Sequence, residues 1–220
     1  MADVLQRNTS IEISRYQLSR MAELVTRALD RSLKALFTPD ILLAREVIEA
    51  DKAINSYEID VDNSTFSLLT LSNIPPELLR SIISIQKINA MLERIGDHAV
   101  NIAESAISIA VEEQEKNLFS LPEMADLCKK VLSDTLASFF NKDVSLAEDV
   151  LTRDEKIDAL NVGILDEVKT KVLAGELSFE TGLDIIRVSK NLERIADLSS
   201  NIAEETSFAV LGRIIKHHHD

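Results

Sequence analysis

The chain has 220 residues and a formal net charge of −13, from 24 Lys and Arg against 37 Asp and Glu. That balance excludes nucleic acid as the main ligand, because such binding rests on many cationic phosphate contacts. The 45% hydrophobic content excludes a disordered acidic tail.

No apolar run approaches the roughly 18–20 residues a spanning helix needs, and MADVLQRNTS carries no signal-peptide core. The single cysteine, Cys128, cannot make an internal disulfide, and a cytoplasmic location is expected. Gly and Pro number only 5 and 4, about 4% of the chain against a usual ~12%. A β-rich or α/β chain of this size needs more turn residues, so the expected class is all-α.

In chain order, a first helix is expected from about Ile11 to Phe37, closed by Thr38-Pro39. Asp40 is placed to cap a second helix running to about Thr70. The breaker Ser72-Asn73-Ile74-Pro75-Pro76 precedes a third helix from Glu77 to about Gln114. After a break at 117–122, Pro122-Glu123 opens a fourth helix ending near Phe140. Asn141-Lys142-Asp143 reads as a short turn with an Asp cap before a fifth helix from Val144 to Leu173. Gly175 ends it, and a sixth runs from Phe179 to Leu211, stopped by Gly212.

Apolar residues on these helices recur at three- and four-residue spacing. The third helix carries Ile85, Ile88, Leu92, Ile95, Ala99 and Ile102; the sixth carries Ile185, Val188, Leu192, Ile195, Ser199 and Ile202. Such seams favour near-antiparallel bundle packing. The two series are offset by 100 residues throughout. Residues 92–104 read LERIGDHAVNIAE and residues 192–204 read LERIADLSSNIAE, identical at nine of thirteen positions. A second echo joins Asp51-Lys-Ala-Ile-Asn55 to Asp154-Glu-Lys-Ile-Asp158. The expected architecture is two tandem antiparallel three-helix bundles of six long helices, 1–118 and 119–220, related by duplication.

Packing explains repeated apolar residues but not repeated polar ones. Glu93, Asp97, Asn101 and Glu104 return as Glu193, Asp197, Asn201 and Glu204, on a stripe facing away from the apolar seam. On the second helix Asp51, Asn55, Glu58 and Asp62 share a face; the fifth offers Asp154, Asp158 and Asn161. Antiparallel pairing about Asn73–Ile74 sets Asp51 opposite 95–97 and Asn55 opposite 92–93. Pairing about Leu177 sets Asp154 across from Ser200 and Asp158 across from 196–197.

Like charges so gathered repel unless a cation neutralises them. The offered donors are oxygen, which favours Mg²⁺, Mn²⁺, Ca²⁺ or iron over structural zinc, and bridging carboxylates leave a multinuclear site open. The competing reading is a solvated acidic face with Arg94, Arg194, Lys52 and Lys156 as counter-charges. His98 is expected as a surface or pocket histidine, with Leu198 in its place in the second half; Gly96 and Ala196 are expected to permit close helix approach. His217–His219 carry no weight. No phosphate loop, G-x-S-x-G, Glu-x-x-His or Cys–His motif is present, so no catalytic residue and no enzyme is expected.

The doubled E-R-I-x-D-x-x-x-N-I-x-E, Ala44-Arg-Glu-Val-Ile48 with Asp51, Asp154 with Ile157-Asp158, and the Ile214-Ile-Lys-His217 ending together resemble the PhoU family, regulators of the phosphate-specific transport system. The resemblance covers essentially the whole chain. It implies tandem three-helix bundles, usually dimeric and without enzymatic activity. It also implies partners: the ATPase subunit of a phosphate ABC transporter and a sensor histidine kinase, met at the periphery of a membrane complex, with phosphate uptake and the starvation response damped. It further implies metal on the E-x-x-x-D surface, here Glu93/Asp97 and Glu193/Asp197, in some members as multinuclear iron. Asn55 stands where the second half has Asp158, so the first site is expected to be weaker or differently charged. The alternatives are a helical adaptor docking basic surfaces with metals incidental, and a domain of this type reused to regulate another transporter.

Overall fold

A computed structural model describes residues 2–71, 73–111 and 120–213, with side chains from Ser10 onward. The described residues are 90% helical and contain no strand. The helices are α1 (Ala2–Phe37), α2 (Ile41–Leu69), α3 (Pro76–Val111), α4 (Leu121–Asn141), α5 (Val144–Leu151), α6 (Asp154–Leu173) and α7 (Phe179–Leu211).

Their ends follow local chemistry. Asp40 accepts from the Leu43 amide and Asp143 from the Leu146 amide, each at 3.0 Å, and Ser178 Oγ accepts from the Thr181 amide at 3.0 Å. Each satisfies a backbone donor that the first turn leaves without a partner. Gly212 ends α7 in the left-handed region at φ 67°, where a side chain would be strained. The 117–119 part of the expected break, the 118/119 boundary, the end of the third helix at Gln114, Ser72 of the second breaker and the Ile214–His219 tail lie outside the described residues.

Two expectations are corrected. α1 begins at Ala2 rather than Ile11; no Gly or Pro interrupts residues 2–10, so the helix simply continues. The expected fifth helix is split into α5 and α6. Thr152 and Arg153 turn tightly, their amides donating to the Asp149 and Val150 carbonyls three residues back. Thr152 Oγ1 also donates to the Asp149 carbonyl at 2.7 Å. The Arg153 guanidinium is anchored at Asp134 of α4, 2.5 Å away, and at Asp149. A side chain tied to a neighbouring helix therefore sets the break, and no Gly or Pro marks it.

In the first half α1, α2 and α3 pack mutually; in the second, α4, the α5–α6 pair and α7 do the same. α3 packs extensively along α7, and α1 meets α4, joining the halves into one body with one continuous core. Ile88, Leu92, Ile95, Val188, Leu192 and Ile195 are all fully buried. Polar ties run along the same seam: His98 Nδ1 donates to Asn191 Oδ1 at 2.8 Å, a direction fixed because Asn191 Nδ2 itself donates to the Arg187 carbonyl. Cys128 is buried, its thiol against the Leu192 carbonyl, and desolvation pushes its pKa up to about 12. No helix among the described residues is long and apolar enough to cross a membrane.

Ile95→Ala on this seam should cost about 2–5 kcal/mol, through lost burial plus the cavity left behind. Ile59→Ala, at a site 60% exposed, should stay within about 0.5 kcal/mol of wild type. Urea unfolding followed by circular dichroism measures both.

Candidate functional site

Two clusters of carboxylates stand at equivalent places in the halves. In the first, α2 supplies Asp51 and Glu58, and α3 supplies Glu93 and Asp97. The register brings Asp51 against Gly96: a Cβ at Gly96 would stand 3.4 Å from Asp51 Oδ1 and 3.1 Å from the Ile54 side chain. The missing side chain is what lets α2 approach this closely, so that Asp51 lies beside Asp97. Asn55, one turn on, donates from Nδ2 to Asp51 Oδ2 at 3.0 Å. Asp51 Oδ1 is buried and has no hydrogen-bond donor among the described residues.

Burial raises the pKa of Asp51 above its ordinary value, the Asp97 charge raises it further, and the Asn55 amide partly offsets both. Glu58 is raised by burial, then by the charges of Asp62 and Asp97. Glu93 is raised by burial and by Asp97, Glu58 and Asp51 together. None of Asp51, Glu58, Glu93 and Asp97 forms an ion pair with a described residue. Asp62, at the edge, accepts from Asn89 Nδ2 at 3.0 Å, and the same amide donates to the Glu58 carbonyl.

In the second cluster, Asp154 and Asp158 of α6 face Glu193 and Asp197 of α7. The expected register holds: Asp154, 5% exposed, accepts from Ser200 Oγ at 3.3 Å. Burial raises Asp197, as do the charges of Asp154, Glu193 and Asp158, while Arg194 pulls it back. Here counter-charges are built in. Lys190 pairs with Glu193, and Arg194 stands 3.4 Å from Asp197. At position 90 the first half has Ala where the second has Lys190. Asn55 in place of Asp158 is offset by Glu58 in place of Asn161, so each cluster keeps four carboxylates. The second is the less negative because Lys190 and Arg194 pair with its acids, where the first has Ala90 and an Arg94 without an ion pair among the described residues.

The remaining expected residues sit elsewhere. Asn101 Oδ1 accepts from Arg187 of α7 at 3.3 Å, beside a 2.8 Å Arg187–Glu104 ion pair, and so belongs to the α3–α7 seam. Asn201 is exposed. Asn161 accepts from Ser189 Oγ at 2.7 Å. Sequence reasoning missed Asn89, Ser189 and Lys190. The 100-residue offset pairs Asn89 with Ser189, two buried polar side chains on otherwise apolar faces, and that was a usable signal.

The donor set is all oxygen, negatively charged and partly desolvated, with one buried carboxylate oxygen left without a donor; such a set suits a hard cation. Among the described residues, no three His, Cys, Asp or Glu side chains are already disposed to hold a metal ion. The carboxylates line two facing helices and do not form a closed shell.

Because the fold opposes their ionisation, Asp51, Glu58, Glu93 and Asp197 stabilise it most when protonated, and that contribution fades as pH rises through their raised native values. In metal-free protein at pH 7, Glu93→Gln should therefore stabilise by roughly 0.5 kcal/mol or less, the scale of a partly exposed like-charge contact. The gain should shrink as pH falls toward 4.5, the ordinary value for glutamate. Asp134, lowered mainly by its hydrogen bonds to Arg153 and Lys130 against a burial penalty, acts in the opposite direction but cancels in the difference. Urea midpoints of both proteins in EDTA at the two pH values check this; a variant destabilised equally at both would refute it.

The chain and its fold have known relatives. The PhoU domain model matches twice, at residues 18–106 and 121–206. The phosphate-specific transport system accessory protein PhoU homolog of Aquifex aeolicus is 34% identical over 209 residues, covering 95% of each chain. The Escherichia coli K12 accessory protein PhoU is 28% identical over 212 residues, 96% of this chain and 88% of that one. The crystal structure of PhoU from Pseudomonas aeruginosa superposes with a TM-score of 0.90 at 31% identity, over 94% of this chain and 99% of that one. The phosphate transport system regulatory protein PhoU from Streptococcus pneumoniae gives 0.87 at 25% identity, over 96% and 100%. With two tandem matches, a shared fold and relatives aligned over almost their full length, this chain belongs to the PhoU family of phosphate transport accessory proteins.

Proposed function

We propose that this regulator of phosphate transport works without chemistry of its own, as a metal-loaded docking protein at the cytoplasmic side of the transport complex. Its partners are the ATPase subunit of a phosphate ABC transporter and a sensor histidine kinase, and it acts as a homodimer that damps uptake and the starvation response. The observation that carries the metal component is the duplicated cluster: four carboxylates on facing helices in each half, among which Asp51, Glu58, Glu93 and Asp197 have raised pKa values and Asp51 has a buried oxygen lacking a donor among the described residues.

Asp51, Glu58, Glu93 and Asp97 would hold cation in the first half, with Asn55 at the rim; Asp154, Asp158, Glu193 and Asp197 would do so in the second. Asn101 and Asn201 stand further round the same helices and would contribute only at the edge. A bound iron, Mg²⁺, Mn²⁺ or Ca²⁺ would supply positive charge and open coordination positions for a partner's oxygen ligands. The protein's own residues set the rest. The carboxylates create the field, Asn55 and Ser200 orient one carboxylate each, and Lys190 with Arg194 weakens the second site relative to the first.

Equilibrium dialysis followed by elemental analysis, on chelator-stripped protein exposed to each metal, gives stoichiometry. A filled site adds RT ln(1 + [L]/Kd), roughly 2.7 kcal/mol at a hundredfold excess over Kd. Glu93→Gln/Asp97→Asn should lose the larger share of that stabilisation and Glu193→Gln/Asp197→Asn the smaller. Both should derepress phosphate-starvation genes. If both double variants fold, lose metal and still repress as wild type does, the adaptor reading with incidental metals stands instead.

A further inference from the structure

At the end of the bundle where α3 begins and α4 and α7 finish, a cavity of about 230 Å³ opens between α1, α3, α4 and α7. Its walls carry three cations, Arg15, Arg80 and Lys142, and one carboxylate, Glu77, over an apolar lining that includes Phe139 and Val210. In a chain with 37 acidic and 24 basic side chains, this is a local reversal of charge. Arg80 lies 13 positions before Glu93 on α3, about 20 Å along the axis, so the cavity is separate from the carboxylate clusters.

The two arginines are packed in place, Lys142 is exposed at the rim, and none of the three is tied into a close ion pair among the described residues. The Arg15 guanidinium lies 5.9 Å from the Phe139 ring centroid and donates to the Phe140 carbonyl at 3.4 Å. Neither Arg15 nor Lys142 forms an ion pair with a described residue. Among the described residues Arg80 forms an ion pair with Glu77 alone, at 3.9 Å, and that carboxylate side chain is 76% exposed. Arg80 Nε is buried with no hydrogen-bond partner among the described residues. At Gly212 a Cβ would stand 3.5 Å from Arg80 Cζ and Nε, so the bare backbone at the end of α7 backs the guanidinium. Lys142 caps α4 in the left-handed region, φ 57° and ψ 35°, a position ordinarily cheaper for Gly or Asn.

Two guanidinium forks and an ammonium, set against one loosely engaged carboxylate, leave a net charge near +2 with unused donors. Phosphate at neutral pH carries −1.5 to −2 and presents oxygens that match such forks. The apolar wall and a volume larger than one ion leave space for a short carbon skeleton. We propose that this cavity binds a small phosphate-bearing anion, either free phosphate or a compact phosphomonoester.

The test is isothermal titration of the full chain in EDTA, so that metal on the acidic clusters cannot hold the phosphate, with orthophosphate in one arm and glycerol 3-phosphate in the other. Saturable one-to-one binding of at least one is expected, weakening as salt rises from about 20 to 150 mM. Arg80→Gln should weaken it about tenfold or more. Lys142→Asn, which keeps the left-handed cap while removing the charge, should weaken it about threefold or more. Arg31→Gln, an exposed cation paired with Glu46, should leave it unchanged. Tighter binding of the ester shows the apolar wall in use; equal binding identifies free phosphate as what the site reads. Binding of neither anion below about 10 mM, or wild-type affinity in both Arg80→Gln and Lys142→Asn, overturns the proposal.

Discussion

The burial of α3 against α7 is the constraint on which the rest of this molecule depends. Each helix carries one copy of the repeated segment, and each turns its apolar seam inward, so the two copies form a central spine with the other helices laid around it. Burying one Leu or Ile side chain is worth about 1.5–3 kcal/mol, and Ile88, Leu92, Ile95, Ile102, Val188, Leu192, Ile195 and Ile202 are all buried. A like-charge pair on neighbouring turns costs a few tenths of that. The spine therefore tolerates carboxylates facing one another at its flanks, and with Leu92 and Ile95 turned inward, Glu93 and Asp97 are left on the side that meets α2.

The halves share that logic and differ in how they balance it. The first half brings α2 close through Gly96 and leaves its four carboxylates without an ion pair among the described residues. The second has Ala196 at the close approach, breaks its outer helix before Asp154, and places Lys190 and Arg194 beside its acids. The break matters because Arg153, tied to Asp134 of α4, fixes where α6 starts and therefore where Asp154 lies relative to Ser200. In the first half Ala50 occupies the corresponding place and α2 runs through unbroken. The two halves thus carry acidic clusters in equivalent places with different counter-charges.

Much of this was legible in the residues. Prolines, Asp caps and Gly212 mark helix ends because each acts on the backbone within a turn of itself, and the seams reveal the spine because burial is periodic. The acidic register was legible because antiparallel helices rise equally from their turn, which set Asp154 opposite Ser200. What was not legible depends on partners distant in sequence. The α5–α6 break rests on Arg153 reaching α4. Asn101 looked like part of the acidic stripe, yet it is met by Arg187 from the other half. The cationic cavity draws Arg15, Arg80 and Lys142 from three helices with no spacing between them to read. Lys190 was visible as a residue, but its effect on Glu193 needed the rotamer.

The molecule's net charge of −13 describes its surface poorly, because charge is sorted by position along the spine. Carboxylates gather beside the middle of α3 and α7, where the paired helices hold them together, and Arg15, Arg80 and Lys142 converge at the end of the bundle where α3 begins and α4 finishes. The clusters are also only weakly coupled to folding. Protonating a carboxylate or neutralising it with a cation relieves the same repulsion, and either shifts the balance by far less than the spine supplies. Under the proposed function, a change of cation occupancy would therefore alter the electrostatic face offered to a partner while the fold beneath it stays fixed. That separation of an apolar core from a charged flank is what the protein would use under that function, since its output would be the surface it presents.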